Sequence, residues 1–126
     1  AQAAIDWLQR AFGFHAQAVY ADDDTVFHAQ LTFGSGMIML GSADRESAWS
    51  QHAAMPDEVG GRQTQSACVI VTDADAHYAR AKAAGARIVI DIADQDYGGR
   101  GYACADPEGY LWWFGSYDPW RADHDQ

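Results

Sequence analysis

Histidine is the side chain in this sequence best suited to acid–base or metal chemistry near neutral pH. His28 lies in a stretch with strand-like alternation, where it shares a face with Gln30 and Thr32. It could act there as a ligand-binding donor or general base, or it could be a sheet histidine with satisfied hydrogen bonds. His77 lies in a predicted helix, where a solvent-facing position is favoured. The remaining histidines, at positions 15, 52 and 124, fall at a turn, in a loop and in the tail, and no pair has HxH or HxxxH spacing.

Other catalytic patterns are absent from the sequence, so no catalytic residue is assigned. Cys68 and Cys104 lie in apolar, strand-like stretches without CxxC spacing, which predicts two buried thiols and neither a disulfide nor a zinc site. There is no GxSxG or Walker motif, and the Gly34-Ser35-Gly36 segment precedes a strand, as in a hairpin. The carboxylates at 22–24, 91, 94 and 96 flank predicted turns, which is typical of solvated surface.

The elements that must position these residues follow from local patterns. Apolar residues at helical spacing predict a helix over residues 1–12 that ends at Gly13. A second helix begins near Asp73 or Asp75 and ends at Gly85. Strands are predicted around residues 17–21, 26–33, 36–41, 65–71, 86–92, 101–106 and 110–117. The polar segment 42–63 is predicted to be a connecting loop.

The two halves of the chain repeat. A shift of 74 residues places the segment 37–42 on 111–116 and His28-Ala29-Gln30 on Tyr102-Ala103-Cys104 without a gap. This indicates a duplicated βαβββ unit, whose first copy lacks a leading strand in the given sequence. We therefore expect a single domain, 1–126, with a first unit at 1–41, the loop at 42–63, a second unit at 64–117 and a tail at 118–126.

The second half carries a recognisable motif. The stretch 97–102, followed by Asp106-Pro107-Glu108-Gly109 before the last strand, resembles the final hairpin of the vicinal-oxygen-chelate superfamily, which includes glyoxalases, bleomycin-resistance proteins and extradiol dioxygenases. Proline and glycine at these positions also make a good hairpin in any fold. The resemblance covers nearly the whole chain and implies an α+β fold with two βαβββ units forming paired half-barrel sheets around a cleft.

In metal-using relatives each unit offers two ligands, a His on its first strand and a Glu on its last. Carried over by position, these places hold Met39, Ser66 and Trp113, and the fourth is absent from the sequence. Thioether, hydroxyl and indole groups are poor ligands for divalent ions that need deprotonated oxygen or nitrogen donors. We therefore expect neither a family metal site nor a cofactor.

The resemblance also implies that the face bearing the vacated Glu positions lines the cleft. Trp113 and Met39 would then form apolar walls, with Ser66 at the third vacated place. Such a cleft suits a planar or amphipathic ligand. The expected polar anchors are Arg100, Tyr102, His28 and Gln30. An ordinary closed core without a ligand is the alternative that the sequence leaves open.

Composition narrows the classes of partner. The 126 residues carry 8 Lys plus Arg against 18 Asp plus Glu, a formal charge of −10, which argues against nucleic acid and favours cationic ligands. Hydrophobic residues make up 48% of the chain, enough for a folded core, and the apolar runs are only strand-sized, so we expect a cytoplasmic protein that does not enter the membrane.

The sequence therefore favours a metal-independent small-molecule-binding protein of the bleomycin-resistance type, with an aromatic or cationic ligand. One alternative is a glyoxalase-like lyase or isomerase, or a dioxygenase, that holds a divalent metal with non-standard ligands. Another is a non-catalytic scaffold that binds a partner protein. Because the first unit lacks a leading strand and leaves a sheet edge open, we also expect a homodimer.

Overall fold

The fold is α+β and consists of two compact units, residues 1–60 and 61–126. The computed structural model describes residues 1–43, 46 and 48–121. Within these residues each unit combines one α-helix with one open sheet, of three strands in the first unit and four in the second. The predicted fold class is confirmed. No helix in the described ranges is long and apolar enough to cross a membrane.

The first helix, α1 (Gln2–Phe12), packs against the sheet of its own unit. It ends where the sequence predicts: Gly13 has a φ of 86°, and its N–H donates to the carbonyl of Gln9 at 3.2 Å. Glycine takes this left-handed conformation without the steric cost that a Cβ imposes. The buried side chains recur at the three- and four-residue spacing of one helix face: Ile5, Trp7, Leu8, Ala11 and Phe12.

The sheet of the first unit is an antiparallel meander in the order β1-β2-β3. Its strands are β1 (His15–Asp22), β2 (Thr25–Phe33) and β3 (Gly36–Leu40). On β2 the side chains of Ala29 and Leu31 are fully buried, whereas His28 and Gln30 alternate with them and are half-buried. The face of His28 and Gln30 is therefore the open face of this sheet.

The second unit contains the full βαβββ order. Its elements are β4 (Ala67–Ile70), α2 (Ala74–Ala83), β5 (Arg87–Asp94), β6 (Arg100–Ala105) and β7 (Leu111–Gly115). The strands lie in the order β4-β7-β6-β5, with β4 parallel to β7 and the other pairs antiparallel. Asp73 caps α2 by accepting a hydrogen bond from the N–H of Ala76 at 3.0 Å, and Gly85 follows the helix with a φ of 96°. In the segment predicted as a connecting loop, residues 56–59 form a short 3₁₀ helix.

The Asp-Pro-x-Gly motif shapes the turn between β6 and β7. Asp106 Oδ1 accepts from the N–H groups of Glu108 and Tyr110, at 2.9 and 3.0 Å, and Oδ2 accepts from the indole N–H of Trp112 at 3.0 Å. Gly109 supplies the positive φ, 92°, that the turn requires. One carboxylate therefore fixes both the turn and the ring that begins the core face of β7.

Matching hydrogen bonds support the internal duplication. In the first unit the N–H of Val26 donates to Ser42 Oγ at 2.9 Å, and the N–H of Ser42 donates to the carbonyl of Val26 at 2.8 Å. Seventy-four residues later, Arg100 and Ser116 make the same two bonds at 3.0 and 2.9 Å. Each serine thus closes the open end of the last hairpin of its unit.

The gapless superposition of the two halves is wrong along β2, whose residues are shifted by one relative to β6. Leu40 pairs with Ala29, but its counterpart Phe114 pairs with Tyr102, one residue short of the gapless partner. Between this pair and the serine contact, β2 contains two residues where the opposite strand contains one, which is a β-bulge at Phe27. Because side chains alternate, the extra residue places His28 on the open face of its sheet and Tyr102 on the helix-covered face of the other.

The two serine contacts make a matched test of the hairpin closures. Ser42→Ala and Ser116→Ala each remove the acceptor for one part-buried backbone N–H. We expect each to lower the free energy of unfolding by about 1 kcal/mol, the usual cost of an unpaired backbone donor. Urea denaturation measures this, with Ser35→Ala in the exposed turn of the first unit as the control. An unchanged stability for Ser116→Ala would show that water replaces the hydroxyl.

Candidate functional site

The last strand, β7, divides its side chains between two faces of the sheet. Phe114 is fully buried and its ring lies 4.1 Å from that of His77 on α2, which identifies the helix-covered face. Trp112 stacks on Phe114 from the same side. Trp113 between them points to the opposite, open face and is only half-buried. The side chains of this strand therefore alternate, and Trp113 lies on the face that α2 does not cover.

Two glycines provide the surface on which the Trp113 indole rests. Gly101 on β6 and Gly115 on β7 are direct cross-strand partners. A Cβ built on Gly101 would overlap Cζ2 of Trp113 and lie 2.9 Å from Cε2, and a Cβ on Gly115 would lie 2.9 Å from Nε1. These separations are shorter than real side-chain contacts, so the ring occupies space that any other residue would fill. The sheet thereby fixes where the indole lies.

A cavity of about 270 Å³ borders the indole on the open face of the second unit. Cys68 and Ile70 of β4 lie directly beside Trp113 and Gly115 in the sheet and form one wall. We refer to this cavity as the Trp113 pocket. Its lining residues are Cys68, Ile70, Gln95, Tyr97, Gly98, Arg100, Trp113, Gly115, Tyr117 and Pro119.

The turn between β5 and β6 forms another wall of the Trp113 pocket. The turn is closed by hydrogen bonds from the N–H of Gln95 to the carbonyl of Gly99 at 2.8 Å, and from the N–H of Gly98 to the carbonyl of Gln95 at 3.0 Å. A Cβ on Gly99 would lie 2.7 Å from the backbone nitrogen of Tyr117. This close approach brings Tyr97 against Tyr117, with ring centroids 5.1 Å apart and planes at 81°.

Arg100 lines the pocket, and its charge is already engaged by carboxylates. Its guanidinium binds Asp75 at the start of α2 through two nitrogens, at 3.1 and 3.2 Å, and Asp94 through a third at 2.9 Å. The hydrogen bonds that the guanidinium donates to these two carboxylates, first that to Asp75, raise the pKa of Arg100. A residue held by two carboxylates braces the turn beside it better than it binds an anion.

Tyr102 does not lie in the pocket, and the prediction that it is a polar anchor is wrong. Its side chain is fully buried between the sheet and α2, and its hydroxyl lies 2.6 Å from Nδ1 of His77. Burial raises the pKa of this hydroxyl, which keeps it protonated. His77 is consequently half-buried against Tyr102 and Phe114 and does not face solvent as predicted.

Three predicted ligand-binding residues lie together on the open face of the first unit. Met39 pairs with Gln30 across the sheet and is 62% exposed. His28 Nε2 lies 2.9 Å from Oε1 of Gln30, and Nε2 of Gln30 donates to Oε1 of Gln17 at 2.6 Å. His28 therefore has the hydrogen-bond partner expected of a satisfied sheet histidine. The convergence of Met39, Ser66 and Trp113 on one cleft stays a prediction.

The remaining predicted positions are simpler to place. Ser66 is exposed and immediately precedes β4. Cys104 is buried, as predicted, and burial raises the pKa of its thiol to about 12. Cys68 is exposed on the open face, so the prediction that it is buried is wrong: β4 is an edge strand. His124 lies outside the described residues.

The residues at the family's ligand positions do not fit a divalent ion. Met39, Ser66 and Trp113 offer a thioether, a hydroxyl and an indole, none of which is a deprotonated donor. Within the part of the chain that the structure describes, no group of three or more His, Cys, Asp or Glu side chains is placed to hold a metal. No step of chemistry through a metal is therefore derived for this chain.

Several lining residues were not predicted from the sequence. Tyr97 and Tyr117 were not singled out, because their contact joins the turn before β6 to the residues after β7, which are distant in the sequence. The sequence did contain a signal for the two glycines under the indole. Trp113 is followed two residues later by Gly115 on the same face, and Gly101 begins the neighbouring strand. An aromatic residue beside two same-face glycines indicates a ring lying on the sheet.

Several known proteins are similar to this chain in sequence or in fold. An uncharacterized protein of Mycobacterium bovis is 33% identical over 116 residues, which cover 91% of this chain and 75% of the relative. The crystal structure of TioX from Micromonospora sp. ML1 is 35% identical, with a TM-score of 0.67 over 90% of this chain and 87% of that one. FosX of Listeria monocytogenes, a genomically encoded fosfomycin resistance protein, is 12% identical, with a TM-score of 0.66 over 97% and 88% of the two chains, and shows the fold alone.

These similarities define a protein with the fold of the glyoxalases and their relatives. The family model of the Glyoxalase/Bleomycin resistance protein/Dioxygenase superfamily matches residues 1–114, and the chain belongs to that superfamily. The resemblance inferred from the last hairpin is confirmed.

Proposed function

We propose that this protein binds a small organic molecule in the Trp113 pocket and does so without a metal. The observation that carries the proposal is the Trp113 indole resting on Gly101 and Gly115 beside a cavity of about 270 Å³. Glycine weakens a strand, so the two glycines under the ring reduce stability. They also allow the sheet to position an aromatic surface. The cavity is close to the lower end of the volumes of small-molecule pockets, about 300–1,000 Å³.

The lining supports a ligand held mainly by apolar and aromatic contact. Trp113, Tyr97 and Tyr117 supply rings, and Ile70 and Pro119 supply aliphatic surface. Aromatic contacts of this kind contribute about 0.5–1.5 kcal/mol each beyond simple burial. Members of the superfamily bind small molecules, which supports this role.

Calorimetric titration with 2-naphthalenemethanol, a neutral two-ring probe, tests the proposal. We expect Trp113→Ala to weaken binding at least fivefold, because removing a stacking wall costs about 1 kcal/mol or more of contact. Trp49→Ala, at an exposed tryptophan of the first unit, is the control and should bind as the unaltered protein does. Absence of probe binding to the unaltered protein would favour a closed core instead.

Metal independence is part of the same proposal. Protein purified without chelator should contain no stoichiometric divalent ion when its metal content is determined, and the titration should be unchanged by EDTA. A bound ion at one equivalent, lost together with probe binding when His28 is replaced by Ala, would favour the alternative of a lyase, isomerase or dioxygenase with non-standard ligands.

We also propose that the protein is a homodimer. In the second unit β4 covers the outer edge of β7, whereas the described residues of the first unit provide no strand for the corresponding edge of β3. Open edges and exposed apolar side chains such as Met39 and Phe27 favour association. Sedimentation equilibrium at micromolar concentration should give twice the 13.8 kDa mass of one chain. A single-chain mass that does not change with concentration would refute the dimer, whose obligate form should bury about 2,000 Å² or more.

A further inference from the structure

Three aromatic side chains, Trp113, Tyr97 and Tyr117, line the Trp113 pocket. The indole of Trp113 forms its floor on the sheet, and Tyr97 and Tyr117 meet nearly at right angles at its rim. The three rings line one space, and each ring has an electron-rich face. A ring face attracts a cation through its quadrupole, and a cage of such faces recognises methylated ammonium groups.

The charges around the pocket favour the same kind of ligand. Among the described lining residues Arg100 is the sole cation, and Asp75 and Asp94 together exceed its charge. Two further carboxylates, Asp96 and Asp118, adjoin lining residues in the sequence. The lining is therefore aromatic, and Arg100 together with the two carboxylates bound to it carries a net negative charge.

A neutral or anionic ligand fits these features less well. An anion would need a free cationic partner, and the Arg100 guanidinium is already bound through three of its nitrogens. A neutral apolar group would fill the space but would gain no electrostatic attraction from the nearby carboxylates. A cation gains both from the ring faces and from the long-range negative potential.

We propose that the Trp113 pocket recognises a methylated ammonium group, held by cation–π contact with Trp113, Tyr97 and Tyr117. The inference rests on the proposed function and names the chemical class of its ligand. The trimethylammonium head is compact and weakly hydrated, so it loses little solvation when it enters an apolar cage. The rest of the ligand extends past the pocket rim.

Three probes of one shape and different charge test the proposal. Choline carries a trimethylammonium group, 3,3-dimethylbutan-1-ol carries the neutral tert-butyl group in its place, and 3,3-dimethylbutanoate is the anionic analogue. Proton NMR titration of the full chain follows the methyl resonance of each probe, which aromatic ring currents shift upfield in the pocket. We expect choline to bind about tenfold more tightly than the alcohol, and the carboxylate not to bind.

Variants then locate the binding. Tyr97 is 53% exposed on its turn, so Tyr97→Leu should leave the fold intact while reducing choline affinity about fivefold and leaving that of the alcohol nearly unchanged. Tyr97→Phe keeps a ring face and should retain most of the choline affinity. Tyr110→Leu, at a tyrosine outside the pocket lining, is the matched control and should bind choline normally.

The outcomes separate this inference from the proposed function. Equal binding of choline and the alcohol overturns the cation inference but leaves an apolar pocket. Preferential binding of the carboxylate overturns it in favour of Arg100 as an anchor. If 2-naphthalenemethanol binds and choline does not, the ligand class is wrong and the binding function stands. If no probe binds, both fail.

Discussion

Gly101→Ala should disrupt the Trp113 pocket by displacing the indole itself. The added Cβ would overlap Cζ2 of the Trp113 indole, so the ring must leave its place on the sheet. We expect binding of 2-naphthalenemethanol to fall at least tenfold and the free energy of unfolding to fall by about 1–3 kcal/mol, the usual cost of overpacking. Calorimetric titration and urea denaturation measure the two effects.

The control is Gly36→Ala, at another strand glycine whose φ is not positive. A Cβ there would meet the carbonyl oxygen of Phe33 at 3.4 Å, an ordinary contact, so stability and binding should hardly change. A double-mutant cycle with Trp113→Leu assigns the cause. If the indole is what the methyl group displaces, Gly101→Ala should cost much less once Trp113 is gone. Additive losses in the cycle would mean that the alanine acts on the backbone and not through the ring.

The elements of the fold could be predicted because each is set by nearby residues. Gly13 ends α1 through its own positive φ, and Asp73 begins α2 through its own side chain. The last hairpin follows from Asp106 and Gly109 within a single turn. Signals of this kind act over one to four residues and need no knowledge of the tertiary structure.

The candidate site could be predicted only in part, because it depends on register and on contacts between distant residues. Trp113 was named as a wall of the ligand site from the family resemblance, and that role stays a prediction. Tyr102 was predicted to be a polar anchor but lies on the helix-covered face. The bulge at Phe27 has no counterpart in the second unit, so Tyr102 does not share the orientation of His28. The contact of Tyr97 with Tyr117 joins a turn to a strand end and leaves no local signature.

Phe114→Ala should mainly lower stability and Trp113→Ala should mainly lower ligand affinity, although the two residues are neighbours on β7. Phe114 is fully buried and contacts the rings of His77, Tyr102 and Trp112 on the helix-covered face. Its truncation should lower the free energy of unfolding by about 3–5 kcal/mol, since it removes a large buried ring and leaves a cavity. Trp113 is half-buried on the open face, so Trp113→Ala should lower the free energy of unfolding by less than half as much.

Binding should reverse that order. Phe114→Ala leaves Gly101, Gly115 and the lining of the Trp113 pocket in place. The folded fraction should therefore bind 2-naphthalenemethanol nearly as tightly as the unaltered protein does. Trp113→Ala should instead lose most of the affinity while remaining folded at 25 °C. Denaturation curves give the stability of each variant, and titration well below each denaturation midpoint gives the affinity of the folded form. Comparable losses of stability and affinity in Trp113→Ala would mean that its ring belongs to the core, because a residue that closes a core cannot be removed from the ligand surface without unfolding its surroundings.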